Sequence, residues 1–141
     1  MRWRRFYFLA LLGVALLLAG CAGRAADFKS ADTNQGKQLF VKNCGGCHTL
    51  ADAAVTGTVG PNLDDAFLAA RTKAGGGFED STFFQITLDQ MRLAAPPMPR
   101  FDEPPNKLSE EQLVDVAAYV AKTAGKPVQQ SGQTGGSTTA P

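Results

Sequence analysis

The clearest periodic run of apolar residues comes late in the chain, where Leu113, Val116, Ala117 and Val120 stand at i, i+3, i+4 and i+7 with Tyr119 beside them. That spacing predicts an amphipathic helix. Ser109 opens it with Gln112 in the capping-box position, and Glu110 and Glu111 lie where the helix dipole favours negative charge. Gly125-Lys126-Pro127 supplies the stop, since glycine accepts a left-handed cap and proline cannot continue a helix. An earlier helix is expected from about Asp32, a capping carboxylate with Gln35 three residues on, to about Asn43. Gly36, Phe40 and then Cys44 share one of its faces. Gly36 has two readings: an indifferent helix residue costing about 1 kcal/mol relative to Ala, or a gap that lets the last helix approach closely. Residues 62–73 and 80–93 also read as helical, separated by Gly75-Gly76-Gly77. In the second, Phe84, Leu88 and Met91 mark one face and Phe83 and Ile86 another. So wide an apolar arc suits a bulky apolar ligand as well as neighbouring helices. With no strand-like alternation of useful length and no internal repeat, the predicted fold class is all-α.

The two ends depart from this pattern. Met1-Arg2-Trp3-Arg4-Arg5 is a positive stub followed by an uncharged apolar run from Phe6 to Ala19, the form of a secretory signal. The run falls short of the roughly 18 to 20 apolar residues of a membrane-spanning helix. Leu18-Ala19-Gly20-Cys21 resembles the lipobox of bacterial lipoproteins, in which the cysteine becomes the first mature residue and carries acyl chains. An uncleaved signal anchor is the alternative, and either would hold the protein at the outer face of the cytoplasmic membrane. Several acyl chains on Cys21 would exceed the marginal hold of a single chain, at about 0.8 kcal/mol per buried CH₂. Ala22 to Ala31 is small and polar, as a spacer is, and Val128 to Pro141 is too poor in apolar residues to offset the entropy of ordering. The expected organisation is a signal peptide at 1–20, a lipidated spacer at 21–31, one domain at 32–127 and a flexible tail at 128–141.

Charge changes the picture only by exclusion. The whole chain has a formal net charge of +1, but from Cys21 onward it carries 11 basic and 13 acidic residues. No basic cluster or aromatic-interleaved stripe supports nucleic-acid binding. Strong electrostatic steering of a partner is not indicated either.

Candidate chemistry is concentrated in Cys44-Gly45-Gly46-Cys47-His48, two thiols and the only histidine within five residues. This is the order used to attach c-type haem: each thiol bonds one porphyrin vinyl group and the histidine becomes an axial iron ligand. The same Cys-x-x-Cys core also serves structural zinc sites and redox dithiols. Zinc needs further strong donors, yet the only other cysteine is Cys21. A thioredoxin-type pair follows a buried strand, whereas this one follows a helix. The cysteine count closes with Cys21 for lipid, Cys44 and Cys47 for haem, and none for a disulfide.

Several further features stand in order around the motif: Gly36 with Phe40, Gly60-Pro61-Asn62-Leu63, Pro96-Pro97-Met98-Pro99, and Asp115-Val116-Ala117-Ala118-Tyr119-Val120. Together with the haem motif they resemble the class I, mono-haem cytochrome c family over about 95 residues. The resemblance implies a fold whose first and last helices cross around one covalently bound haem. It also implies that Met98 is the second axial ligand and that the Pro61 carbonyl accepts a hydrogen bond from His48. Physical chemistry supports both roles. A thioether is a soft donor suited to haem iron, flanking prolines restrict φ and favour an extended loop presenting Met98, and a carbonyl partner fixes the tautomer of a ligating imidazole. Gly60-Pro61 is also a plain turn before a helix. Met91, the other methionine outside the signal, shares a face with Phe84 and Leu88 and reads as core packing.

With His48 and Met98 both bound, no iron position is open to substrate, so the expected function is one-electron transfer without enzymatic activity. Methionine ligation and haem burial favour the reduced state. The expected partners are membrane redox complexes of a respiratory chain, met through small transient contacts, with no small-molecule substrate and the bilayer itself as an anchor. Two other readings stay open. One is a fixed haem subunit of a larger oxidase or dehydrogenase; the other is a five-coordinate haem protein binding gases or peroxide, if Met98 does not ligate.

Overall fold

A computed structural model describes residues 27–72 and 74–127. The expected signal peptide, Cys21 and the tail at 128–141 lie outside the described residues. Within them, four helices follow one another: α1 (Thr33–Asn43), α2 (Leu63–Arg71), α3 (Asp80–Leu93) and α4 (Glu110–Thr123). A two-stranded antiparallel hairpin, β1 (Thr49–Leu50) with β2 (Val55–Thr56), lies between α1 and α2. Only the hairpin departs from the all-α expectation, and with two residues per strand it is too short to show alternation in sequence.

The last helix is the axis of the molecule. Ser109 Oγ accepts from the Gln112 N–H while the Gln112 side chain accepts from the Ser109 N–H, so the expected capping box is complete. From Asp115 to Ala121 every residue is buried, more than one amphipathic stripe provides, because α1 covers one side and α3 another. At the α1 crossing, Asp32 caps α1 by accepting from the Asn34 and Gln35 N–H groups. Its own N–H donates to Asp115 Oδ1 at 2.8 Å. A Cβ added to Gly36 would sit 2.1 Å from the Asp115 carbonyl oxygen and 2.8 Å from Tyr119 Cβ. Close approach is therefore the reading of Gly36 that holds. Phe40 and Tyr119 meet edge to face beside it, with ring centres 5.9 Å apart.

Three side chains tie the remaining elements to this axis. Tyr119 donates its hydroxyl to Asp52 at 2.7 Å, and Lys37 pairs with the same carboxylate, so the hairpin turn is fastened to the helix crossing. Burial, with Asp52 alongside, pushes the Tyr119 phenol well above its ordinary value and keeps it a donor. Arg71, at the end of α2, donates to the Ala121 and Ala124 carbonyls at the end of α4, pairs with Asp80 at the start of α3 and lies over the Phe83 ring. Three helix ends meet on one guanidinium, whose planar fork suits several acceptors at once. Burial opposes ionisation of Asp80, but hydrogen bonds from Lys126 and Arg71 outweigh it and hold its carboxyl below the usual aspartate value.

Packing also reaches the N-terminal side of residue 32. Residues 27–30, assigned above to the spacer, form a helical turn whose Phe28 ring lies 5.2 Å from that of Phe84, under the Lys122 ammonium. An aromatic contact of this kind outweighs the polar character of its neighbours.

Gly36→Ala is expected to force α1 off α4 and to lower stability by about 1–3 kcal/mol, the usual cost of overpacking a tight contact. Guanidinium denaturation of the haem-loaded protein measures it.

Candidate functional site

The cysteine motif is shaped by hydrogen bonds that continue from α1. Cys44 and Gly45 N–H groups both donate to the Phe40 carbonyl, and those of Cys47 and His48 both donate to the Cys44 carbonyl. The chain thus closes a tight turn directly after the helix, and Cys44, Cys47 and His48 all come to one side of the same cavity. That cavity measures about 570 Å³, well within the roughly 300–1,000 Å³ of ligand sites. Cys47 is exposed at its edge and Cys44 is half-buried.

His48 is held from behind. Its Nδ1 lies 3.0 Å from the Pro61 carbonyl oxygen. In that arrangement Nδ1 carries the proton and donates, which leaves Nε2 with a free lone pair. Three glycines allow this packing. A Cβ on Gly60 would sit 2.5 Å from His48 Cε1, one on Gly57 would sit 2.5 Å from the Cys47 carbonyl carbon, and one on Gly45 would meet Val55 at 2.7 Å. Gly60 N–H also donates to the Cys47 carbonyl, and Gly57 accepts from Thr49 Oγ1. Segment 51–59 is therefore the strap that presses the cysteine turn into place. Gly57 and Gly45 carried no sequence signal beyond being glycines.

The opposite wall comes from α3 and the loop after it. Met98 is half-buried against the core and lines the cavity. Its loop is a turn and not the extended segment expected: the Met98 N–H donates to the Ala95 carbonyl across Pro96–Pro97, a cis peptide bond. Met91 is fully buried and lines the same cavity, and its carbonyl accepts from the Phe101 N–H. The sequence reading of Met91 as core is consistent with this burial. Ile86 at 42% and Val59 at 66% exposure are lining residues that solvent also reaches. Phe67, Val116 and Val120 close the interior side.

Among the described residues no Asp, Glu, Lys or Arg lines the cavity. Burial, with a smaller contribution from Cys47, pushes the Cys44 thiol up to about 12. A thiol of that kind is unlike the low-pKa nucleophile of a dithiol oxidoreductase. Among the described residues no group of three or more His, Cys, Asp or Glu is placed to hold a metal ion. An apolar chamber with two thiols, an oriented imidazole and a thioether on its wall fits a porphyrin bearing iron.

Gly60→Ala is expected to displace the His48 ring from Pro61 and lower stability by about 1–3 kcal/mol. In proton NMR spectra of the haem-loaded protein, the slowly exchanging His48 Nδ1 proton should exchange faster or vanish.

The family model described as Cytochrome c matches residues 33–124. No curated protein and no solved structure matches the chain. The matched span runs from the first residue of α1 to the residue after α4, and it contains the cysteine turn and the whole cavity wall. Members carry covalently attached haem c and act as haem-based electron carriers. By this match, and by a largely helical fold built around an apolar chamber, the chain belongs to the cytochrome c family.

Proposed function

We propose that this protein is a membrane-tethered carrier of single electrons, in which Cys44 and Cys47 bind haem c through thioether bonds and His48 and Met98 are the axial ligands. One observation carries the ligand assignment. His48, oriented by Pro61, and Met98, set by the turn at Ala95, line the same uncharged cavity from different segments of chain. When bound, haem supplies a one-electron couple between ferrous and ferric iron. The protein's part is to hold both ligand side chains in place whatever the charge on the iron. Pro61 fixes the imidazole, the proline-flanked turn restricts Met98, and apolar walls from α2, α3 and α4 keep water from the interior. Solvent-reached Val59 and Ile86 leave an edge open to a redox partner. Such a surface suits brief contacts with membrane complexes of a respiratory chain. With both axial positions filled by protein, no substrate site remains and the carrier is not an enzyme.

The tether rests on residues outside those described. An apolar run followed by Leu18-Ala19-Gly20-Cys21 supports lipidation at Cys21, and among the described residues no helix is long and apolar enough to cross a membrane. The lipid would place the domain at the outer face of the cytoplasmic membrane.

Met98→Ala should keep the haem covalently attached, lose the long-wavelength sulfur-to-iron absorption band of the ferric state, become high-spin and lower the reduction potential. An unchanged spectrum would transfer the ligand role to Met91, and a high-spin wild-type protein would favour a five-coordinate, gas- or peroxide-binding haem. Cys21→Ser should abolish acyl labelling and release the protein from the membrane fraction, whereas continued labelling would contradict the lipid anchor.

A further inference from the structure

Haem brings two carboxylate groups, its propionates, into a chamber whose wall, among the described residues, offers no cation. Any carboxylate resting against that wall must take its hydrogen bonds from neutral donors. The wall has four uncharged side chains with N–H or O–H donors: Asn43, His48, Thr87 and Gln90. His48 Nδ1 is engaged with the Pro61 carbonyl, and Asn43 Nδ2 spends one of its two N–H groups on the Leu39 carbonyl at 2.8 Å. Thr87 and Gln90 are the two that, among the described residues, have no hydrogen-bond partner.

Thr87 is the more telling of the two. A threonine within a helix ordinarily returns its hydroxyl to the carbonyl three or four residues back. Thr87 Oγ1 does not, although it is sealed from solvent. Among the described residues only one other side-chain atom is sealed in this way without a partner, Asp115 Oδ2, and Asp115 is not part of the cavity wall. Leaving a buried hydroxyl unpaired is unfavourable unless an occupant supplies the acceptor. Gln90 stands three residues further along α3, on the same face, so the two side chains can reach one group.

We propose that Thr87 and Gln90 form a neutral two-donor seat for a haem propionate. They are positioning residues: they set how the ring lies in the chamber and, by taking up part of the carboxylate charge, they bias the iron toward the ferrous state. This rests on the haem reading above but not on which methionine ligates.

The test uses the full-length haem-loaded protein at a pH well above the carboxylate range, comparing wild type with Thr87→Val, Thr87→Ser and Gln90→Leu. Resonance Raman propionate-bending modes and the midpoint potential are recorded together with thermal stability. Thr87→Val and Gln90→Leu should each shift a bending mode to lower frequency and lower the potential, because less of the carboxylate charge is taken up by donors. Thr87→Ser should keep both at wild-type values. Gln90 is exposed and Thr87 half-buried, so Gln90→Leu gives a folded variant even if Thr87→Val does not. Unchanged bending modes in Thr87→Val and Gln90→Leu would overturn the proposal. So would a gain in stability in Thr87→Val with unmoved modes, which would show the hydroxyl orphaned in the loaded protein too. Failure of the Met98 assignment shows separately, in the wild-type ferric spectrum.

Discussion

The contact of α1 with α4 at Gly36 governs where everything else lies. Backbone meets backbone there, with no room for a methyl group between Gly36 and the Asp115 carbonyl. Such closeness fixes the end of α1 relative to Val116 and Val120, and the end of α1 is where the cysteine turn begins. Cys44 is thus placed beside the cavity by helix packing before any strap or loop contributes. Tyr119 reinforces the arrangement from the same helix turn, meeting Phe40 on one side and holding Asp52 of the hairpin on the other.

From that contact the chamber is assembled in two unlike halves. On the His48 side the packing is close and glycine-dependent, with Gly45, Gly57 and Gly60 each filling a place where a side chain would collide with the motif. On the Met98 side the ligand candidate stands on a short turn between prolines, packed against the buried core. The first half orients an imidazole through a carbonyl; the second restricts a flexible thioether by limiting its backbone. An electron carrier benefits from both, since ligands that move little as the iron changes charge keep reorganisation small.

Much of this was legible in the residues themselves. The boundaries of α4 follow from apolar period and capping, α3 spans the 80–93 expected from its apolar positions, and Asp32 caps α1 as its carboxylate predicts. Cys44, Cys47, His48, Pro61 and Met98, each singled out in the sequence, line one cavity. Other parts were hidden for physical reasons. Arg71 gives no sequence signal because two of its acceptors are backbone carbonyls 50 and 53 residues away. The hairpin at 49–56 is too short for alternation to appear, and Gly57 sits in a segment without periodicity. Phe28 lies in a stretch that is otherwise small and polar, so its packing against Phe84 was not foreseen. In sequence Thr87 looks like any helical threonine; only in the fold is its hydroxyl sealed and unpaired. Sequence gave two readings of Gly36, and only the distance to Asp115 decides between them.

The central claim is that one haem is held between His48 and Met98. Proton NMR of the reduced, haem-loaded protein addresses it most directly, because a methionine bound to haem iron lies in the ring current of the porphyrin. A single methionine methyl signal shifted far upfield and assigned to Met98 is the expected result. No shifted methyl, or one assigned to Met91, would contradict the account.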